Sequence, residues 1–189
     1  MFLRASSSFS TTLTRSSTSI LYEAKVTYDK VVKAVTSGVI ALLLILSLLI
    51  SYLAYMYGDQ LSLILTILLI TDCSIIIVPY LFAPRAFSIT SKGILIKRPI
   101  GGILIPFDDV LSVRRVKVGL GARLFGSGGL YGYYGLFYVS GLGRVWMYAT
   151  DKDKLLLIKT RKGKNYIMSP SDPAMFMERL KVMNVNVEG

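Results

Sequence analysis

The residues able to do chemistry in this sequence are mostly cations. Arg85 is followed by three basic clusters: Lys92, Lys97 and Arg98; Arg114, Arg115 and Lys117; and Lys159, Arg161, Lys162 and Lys164. Arg85 and the first two clusters come soon after a long apolar stretch. Lys and Arg held beside an anionic leaflet gain about 1 kcal/mol each. Contact with anionic lipid headgroups is therefore expected from Arg85, Lys92, Lys97, Arg98, Arg114, Arg115 and Lys117. A merely solvated, solubilising surface accounts for the same residues equally well.

Acid/base and metal chemistry find little support. Asp108 and Asp109 are adjacent at a strand end, where neighbouring side chains point to opposite faces. Asp151 and Asp153 alternate with Lys152 and Lys154, which reads as a solvated turn. A calcium loop needs more carboxylates and a central glycine. There is no histidine and one cysteine, Cys73, in an apolar run. His-based triads, cysteine-rich zinc sites and disulfide frameworks are thereby excluded. The Gly-rich segment from Gly119 to Gly143 lacks the Gly-Lys-Ser/Thr ending of a phosphate loop. Gly126, Gly128, Gly129, Gly132 and Gly135 are better explained by corners and bulges beside large rings. Phe125, Tyr131, Tyr133, Tyr134, Phe137 and Tyr138 are expected to pack strands, or in a minority to dip into a headgroup layer. No catalytic residue, metal ligand or cofactor is expected, and the chain does not read as an enzyme.

The acid of most interest is Asp72. It lies inside the 23-residue apolar run Leu61 to Ala83, near its middle. A charge at a bilayer midplane costs at least about 2.5 kcal/mol, so Asp72 should be protonated, paired or both. Ser47 and Ser51, one helical turn apart in the preceding run, are its expected hydrogen-bond partners. A neutral polar clamp between helices or protomers is the favoured reading; an ion or proton site would require an oligomer or a partner.

Those two runs, 34–57 and 61–83, define the positioning elements. The first has 24 consecutive uncharged residues, about 36 Å as a helix, which is enough to cross a bilayer. The expected domain plan is a disordered Ser/Thr-rich tail over 1–32, a transmembrane hairpin over 33–83, a β-rich domain over 84–182 and a short tail over 183–189. The acid-free start of the tail also suits an organellar targeting segment. Lys25, Lys30 and Lys33 precede the first run, Arg85, Lys92, Lys97 and Arg98 follow the second, and the turn Gly58–Gln60 has no cation. The positive-inside rule then predicts a multi-pass cell-membrane protein with both termini cytoplasmic. Tyr52, Tyr55 and Tyr57 would mark the outer interface, Tyr80 and Phe82 the inner one.

Charge and hydropathy are segregated accordingly. The formal net charge is +11, with 53% hydrophobic residues and a mean hydropathy of +0.57. Residues 1–83 carry five Lys/Arg against four acids, leaving +10 beyond residue 83. About seven short strands follow Pro84, punctuated by Ser-Lys-Gly, Pro-Ile-Gly-Gly and Arg-Lys-Gly-Lys turns. The final helix signal is Asp172 as N-cap, Pro173 at the first helical position, and an apolar face of Phe176, Met177 and Leu180.

Three segments carry a family resemblance: RLFGSGGLYGYYGLF (Arg123 to Phe137), MYAT with Asp151 (Met147 to Asp151), and SPSDPAMFMERL (Ser169 to Leu180). Together with the strand-then-helix order, they resemble the membrane-attached PH-like (pleckstrin-homology-like) domains of bacteria and archaea, a family of poorly defined function. The resemblance implies a bent antiparallel β-barrel or sandwich closed by one C-terminal helix, and no reaction. Lys92, Lys97 and Arg98 match the basic hairpin of inositol-lipid-binding relatives only faintly, so specific inositol-lipid binding is not expected. The expected role is a non-catalytic, membrane-anchored scaffold or adaptor whose basic domain meets protein partners or anionic lipid. The alternative is a small accessory subunit of a larger membrane transporter or enzyme complex. A homo-oligomer is compatible with either; nucleic acid is disfavoured, because a bilayer already supplies the polyanion.

Overall fold

The computed structural model describes residues 19–58, 62–119 and 121–188. A strand, β1 (Ile20–Lys25), precedes two long helices, α1 (Lys30–Tyr57) and α2 (Ser62–Phe82). There follow β2 (Ala86–Thr90), β3 (Gly93–Lys97), β4 (Ile103–Pro106), β5 (Val110–Arg115), β6 (Ala122–Gly128), β7 (Tyr133–Val139), β8 (Gly143–Ala149), β9 (Leu156–Thr160) and β10 (Asn165–Met168). The chain closes with α3 (Pro173–Val182) and a two-residue strand, β11 (Val187–Glu188).

Local chemistry explains where the helices begin and end. The Asp29 carboxylate accepts the Val32 N–H at 2.7 Å and so caps α1. Gly58, at φ +64°, ends it and sends its N–H to the Ala54 carbonyl. In α2, the Thr71 and Ser74 hydroxyls bond back to the carbonyls of Ile67 and Ile70, which keeps these polar groups satisfied on an apolar helix. Both helices are long and apolar enough to cross a membrane, and only 11% of each apolar stretch is buried in the fold. That exposure is unlike the core helix of a soluble domain. At the C-terminus, Asp172 accepts the Met175 N–H at 3.0 Å with Pro173 in the first turn, as its sequence predicts.

The strands form two sheets. One has the order β1-β2-β3-β4 and is antiparallel throughout; the other has the order β11-β5-β9-β10-β8-β7-β6. Side chains alternate between the faces of the larger sheet. One face contributes Tyr134, Tyr148, Leu156, Ile158 and Met168 to a core shared with Phe87, Ile89, Ile94 and Ile96 of the smaller sheet and with Phe176 and Leu180 of α3. The other contributes Tyr133, Phe137, Val145, Met147, Leu157 and Ile167 to a second cluster that includes Val32. The helices thus seat on opposite faces: α1 through Val32, and the end of α2 through Ala83. Met177 packs against the first core only partly buried, so the α3 face is as expected.

Several expectations are corrected. The sheets do not close into a barrel, and they are not wholly antiparallel. β10 runs parallel to β8, and β11 parallel to β5. The β9–β10 hairpin inserts between β5 and β8, which brings the ends of β8 and β10 together. There the Ser169 hydroxyl accepts the N–H groups of Thr150 and Asp151 at 2.7 and 3.3 Å, satisfying donors where the chain leaves the sheet. Among the described residues, nine strands rather than about seven lie between Pro84 and Val182.

The tail expected over 1–32 is structured from Ile20 on; residues 1–18 lie outside the described residues. β1 pairs with β2, placing Tyr22 edge-on to Phe176 at 6.1 Å and burying Ala24. Its ILYEAK alternation was hidden beside the Ser/Thr-rich stretch. α1 starts four residues earlier than expected, at Lys30. The short tail over 183–189 turns back at Asn184 (φ +58°) so that β11 can extend the larger sheet. Of the proposed outward turn, Asp59 and Gln60 lie outside the described residues.

Candidate functional site

The bases of the two long helices are fastened to the β-domain rather than joined by free linkers. On the α1 side, Val26 bridges to Pro170, the Ser171 N–H donates to the Lys25 carbonyl, and the Asp29 N–H donates to the Thr150 carbonyl at 3.0 Å. The Thr150 hydroxyl donates to the Thr27 carbonyl at 2.6 Å, and the Thr27 hydroxyl donates to Asp151 at 3.0 Å. Asp151 is therefore buried, not the solvated turn residue expected; Lys154 stands 3.8 Å from it and the Asp153 N–H donates to it. The Tyr133 hydroxyl lies 3.3 Å from the Asp29 carboxylate. Burial, and next the Asp29 charge, raise this phenol above its ordinary range.

On the α2 side, Pro79 lies inside the helix and the Tyr134 hydroxyl donates to its carbonyl at 2.6 Å. The Ile100 N–H reaches the Leu81 carbonyl, and the Arg85 N–H reaches the Lys97 carbonyl. Burial pushes both Tyr134 and Tyr148 up to about 12, so both hydroxyls stay protonated and Tyr134 keeps its bond to Pro79.

Arg85 occupies the junction. It is half-buried, its Nη1 donates to the Tyr28 hydroxyl at 2.8 Å, and its guanidinium lies 4.0 Å from the Tyr80 ring centre. Its Nε and Nη2 are buried without a hydrogen-bond partner. Beside it is a cavity of about 290 Å³ lined by Tyr28, Lys33, Thr36, Ser37 and Tyr131 among others. The Tyr131 N–H donates to the Thr36 hydroxyl oxygen at 2.9 Å, holding Tyr131 at φ +56°. A positive φ on a bulky residue is a strained conformation that the surroundings must impose.

A larger cleft of about 500 Å³ lies at the base of α2, between Val78, Pro79 and Phe82 of the helix and Phe125 and Trp146 of β6 and β8. Arg98 stands at this cleft, 5.7 Å from the Phe82 ring centre and 6.0 Å from that of Tyr148, with its Nε donating to the Gly101 carbonyl at 2.6 Å. The six rings expected to pack strands differ in burial. Tyr133, Tyr134 and Phe137 are buried and Tyr131 is half-buried; Phe125 and Tyr138 are exposed, Phe125 by 74%.

The other basic residues go elsewhere. Lys97 pairs with Glu23 of β1, and this bond holds the Glu23 carboxyl below its ordinary range. Arg114 stands 3.9 Å from Glu188. Lys92 is exposed on the β2–β3 turn, and Arg115 and Lys117 are exposed at the end of β5 and just beyond it, with Lys117 near Asp153. Of the seven cations expected to meet lipid, only Arg85 and Arg98 sit at the helix bases. Sequence reasoning missed Lys33, Thr36 and Tyr131 as companions of Arg85; the only signal was the position of Lys33 flanking the first apolar run.

Asp72 is buried in the hairpin with Oδ2 unpartnered. The expected bonds from Ser47 and Ser51 do not form: the Ser51 hydroxyl donates to the Ser47 carbonyl of its own helix at 2.9 Å. Self-capping is open to any serine one turn above a carbonyl, and it removes the donor from Asp72. Asp109 is tied to Lys162, which donates its N–H to one carboxylate oxygen. No group of three or more metal-ligating side chains occurs among the described residues.

Comparison with curated proteins and with solved structures returns no match to the chain. A family model, the bacterial PH domain, matches residues 85–184, which begin at Arg85 and run past the end of α3. On that match, covering more than half of its length, the chain belongs to the bacterial PH domain family.

Proposed function

We propose that this protein is a non-catalytic membrane-anchored scaffold or adaptor. In this reading α1 and α2 cross the cell membrane as a hairpin, both termini face the cytoplasm, and the basic PH-like domain meets protein partners or anionic headgroups. The observation that carries it is the double fastening of the helix bases, through Thr27, Thr150 and Asp151 on one side and Pro79 and Tyr134 on the other. A domain held this way presents a constant face to the bilayer and to whatever binds it, which suits a platform. Membership of the bacterial PH domain family supports the same reading.

The test uses the whole chain in a Cys73→Ser background. Cysteines introduced at Gln60 and Gly189 should label from opposite sides of intact cells; same-side labelling sinks the hairpin. Affinity purification of the full chain from detergent should retain a defined protein partner or bind anionic liposomes, and retaining neither sinks the scaffold.

A second reading, an accessory subunit of a larger membrane complex, is favoured by one observation. Asp72 is buried in the hairpin with an unpartnered oxygen, an arrangement that a neighbouring membrane protein could satisfy.

A further inference from the structure

We propose that Lys33 and Arg85 form a binding site for one phosphate group, at the joint where α1, the end of α2 and the β6–β7 turn meet. The cavity beside Arg85 is walled by Tyr28, Lys33, Thr36 and Ser37 from α1 and its approach, by Arg85 before β2, and by Tyr131. No carboxylate lines it, so its two cations are not neutralised by a wall residue. Arg85 Nε and Nη2 have almost no accessible surface and the guanidinium lies against the Tyr80 ring, so Arg85 acts on the cavity through its charge. Two cations with no carboxylate beside them attract an oxyanion, the acceptor that charged donors bind most strongly. Ser37 and Lys33 line the same cavity and carry hydroxyl and ammonium donors. Tyr131, held at a strained backbone angle by Thr36, lines it as well. Half of this wall is α1, which lies outside the residues matched by the family, so the site is a property of how the hairpin meets the domain.

The proposal rests on the reading of α1 and α2 as a membrane hairpin for one point only, the source of the phosphate. With the hairpin inserted, Lys33, in the first turn of α1, and Arg85, three residues past the end of α2, lie at the cytoplasmic ends of the apolar runs, at headgroup depth. A phosphodiester of the inner leaflet would then enter the cavity. Bound there, it would bridge α1 to the domain and strengthen the joint.

The full chain is placed in nanodiscs of phosphatidylcholine alone or of an equimolar mixture with phosphatidylglycerol. Native mass spectrometry then reads the phosphatidylglycerol retained after release from the disc. Inorganic phosphate is titrated separately into the phosphatidylcholine discs by equilibrium dialysis. One phosphatidylglycerol per chain is expected to survive release. Lys33→Gln on the exposed side of α1 and Ser37→Leu, which fills the cavity, should each weaken retention by about tenfold, the worth of a charge-assisted contact or of access to it. Lys117→Gln should leave it unchanged. Because Arg85→Gln also removes the Tyr28 bond, its loss of binding counts only where thermal unfolding matches the parent chain. Saturable, Lys33-dependent phosphate binding without lipid retention would support the site and assign it to free phosphate. Retention unaltered by Lys33→Gln and Ser37→Leu, retention lowered equally by Lys117→Gln, or binding of neither probe would overturn the proposal. Alkaline carbonate extraction of native membranes checks the hairpin independently: a chain that washes off while still binding phosphate through Lys33 refutes the membrane reading and leaves the site standing.

Discussion

The hydroxyl of Tyr134, on β7 next to the edge strand of the larger sheet, donates to the carbonyl of Pro79 at 2.6 Å and so ties the last turn of α2 to the β-domain. The same carbonyl also accepts the Ala83 N–H at 3.1 Å, so Tyr134 adds a second bond rather than replacing a helical one. Tyr134→Phe should therefore cost about 1 kcal/mol and leave α2 helical, while hydrogen exchange at the base of α2 speeds up. Unchanged exchange there would show that the tie does not hold the helix.

The phenols also set an alkaline limit. Tyr134 and Tyr148 have their values raised by burial from 10.0 to about 12. The folded state binds these protons more tightly than the unfolded chain, so the associated stability is complete below about pH 10 and is lost as pH rises towards 12. Phenolate absorbance should show these tyrosines ionising together with unfolding. Ionisation of every tyrosine near pH 10 with the fold intact would contradict this.

β1 guards the edge of the smaller sheet, although it precedes both helices and lies outside the residues matched by the family. Removing residues 1–25 would bare the backbone of β2 and uncover Phe87, leaving an unprotected apolar edge. Aggregation on size exclusion is expected for that truncation and for residues 84–189 alone, and a monodisperse 84–189 fragment would refute it. Glu23→Gln, which removes only the partly exposed pair with Lys97, should cost less than about 1 kcal/mol.

Gly135 faces Gly126 across the β6–β7 pair, where a Cβ on Gly135 would lie 2.3 Å from the Phe125 carbonyl oxygen at φ +116°. Gly135→Ala should destabilise by about 1–3 kcal/mol or more, combining strain with a backbone clash. Gly141, at φ +78°, has open space around it, so Gly141→Ala should show the conformational cost alone, about 1 kcal/mol. Equal thermal shifts for the two variants would show that β6 can move away at no cost.

Asp72→Asn keeps volume and removes charge. If Asp72 is a neutral polar residue of the hairpin, the variant should assemble and fractionate like the parent chain, and vesicle proton flux should not change. Loss of a stoichiometric partner on purification, with the chain itself still in the membrane, would support the accessory-subunit reading instead.

The sequence by itself determined the elements whose signals are local. Run length marked α1 and α2, and Asp172-Pro173 with Phe176 and Leu180 marked α3 and its buried face. In each case the cause lies within a few residues of the effect. Tertiary structure alone decided the rest, because it depends on partners far apart in the chain. β1 became a strand only because β2, more than sixty residues later, offers it an edge. β10 runs beside β8 because the intervening hairpin inserts next to it, which no alternation pattern encodes. Phe125 and Phe137 read alike in sequence, yet only Phe137 faces a core. Arg85 looked like one of seven equivalent cations. It differs because Tyr28, Tyr80 and the α1 base close around it, desolvating two donors that a surface arginine would leave to water.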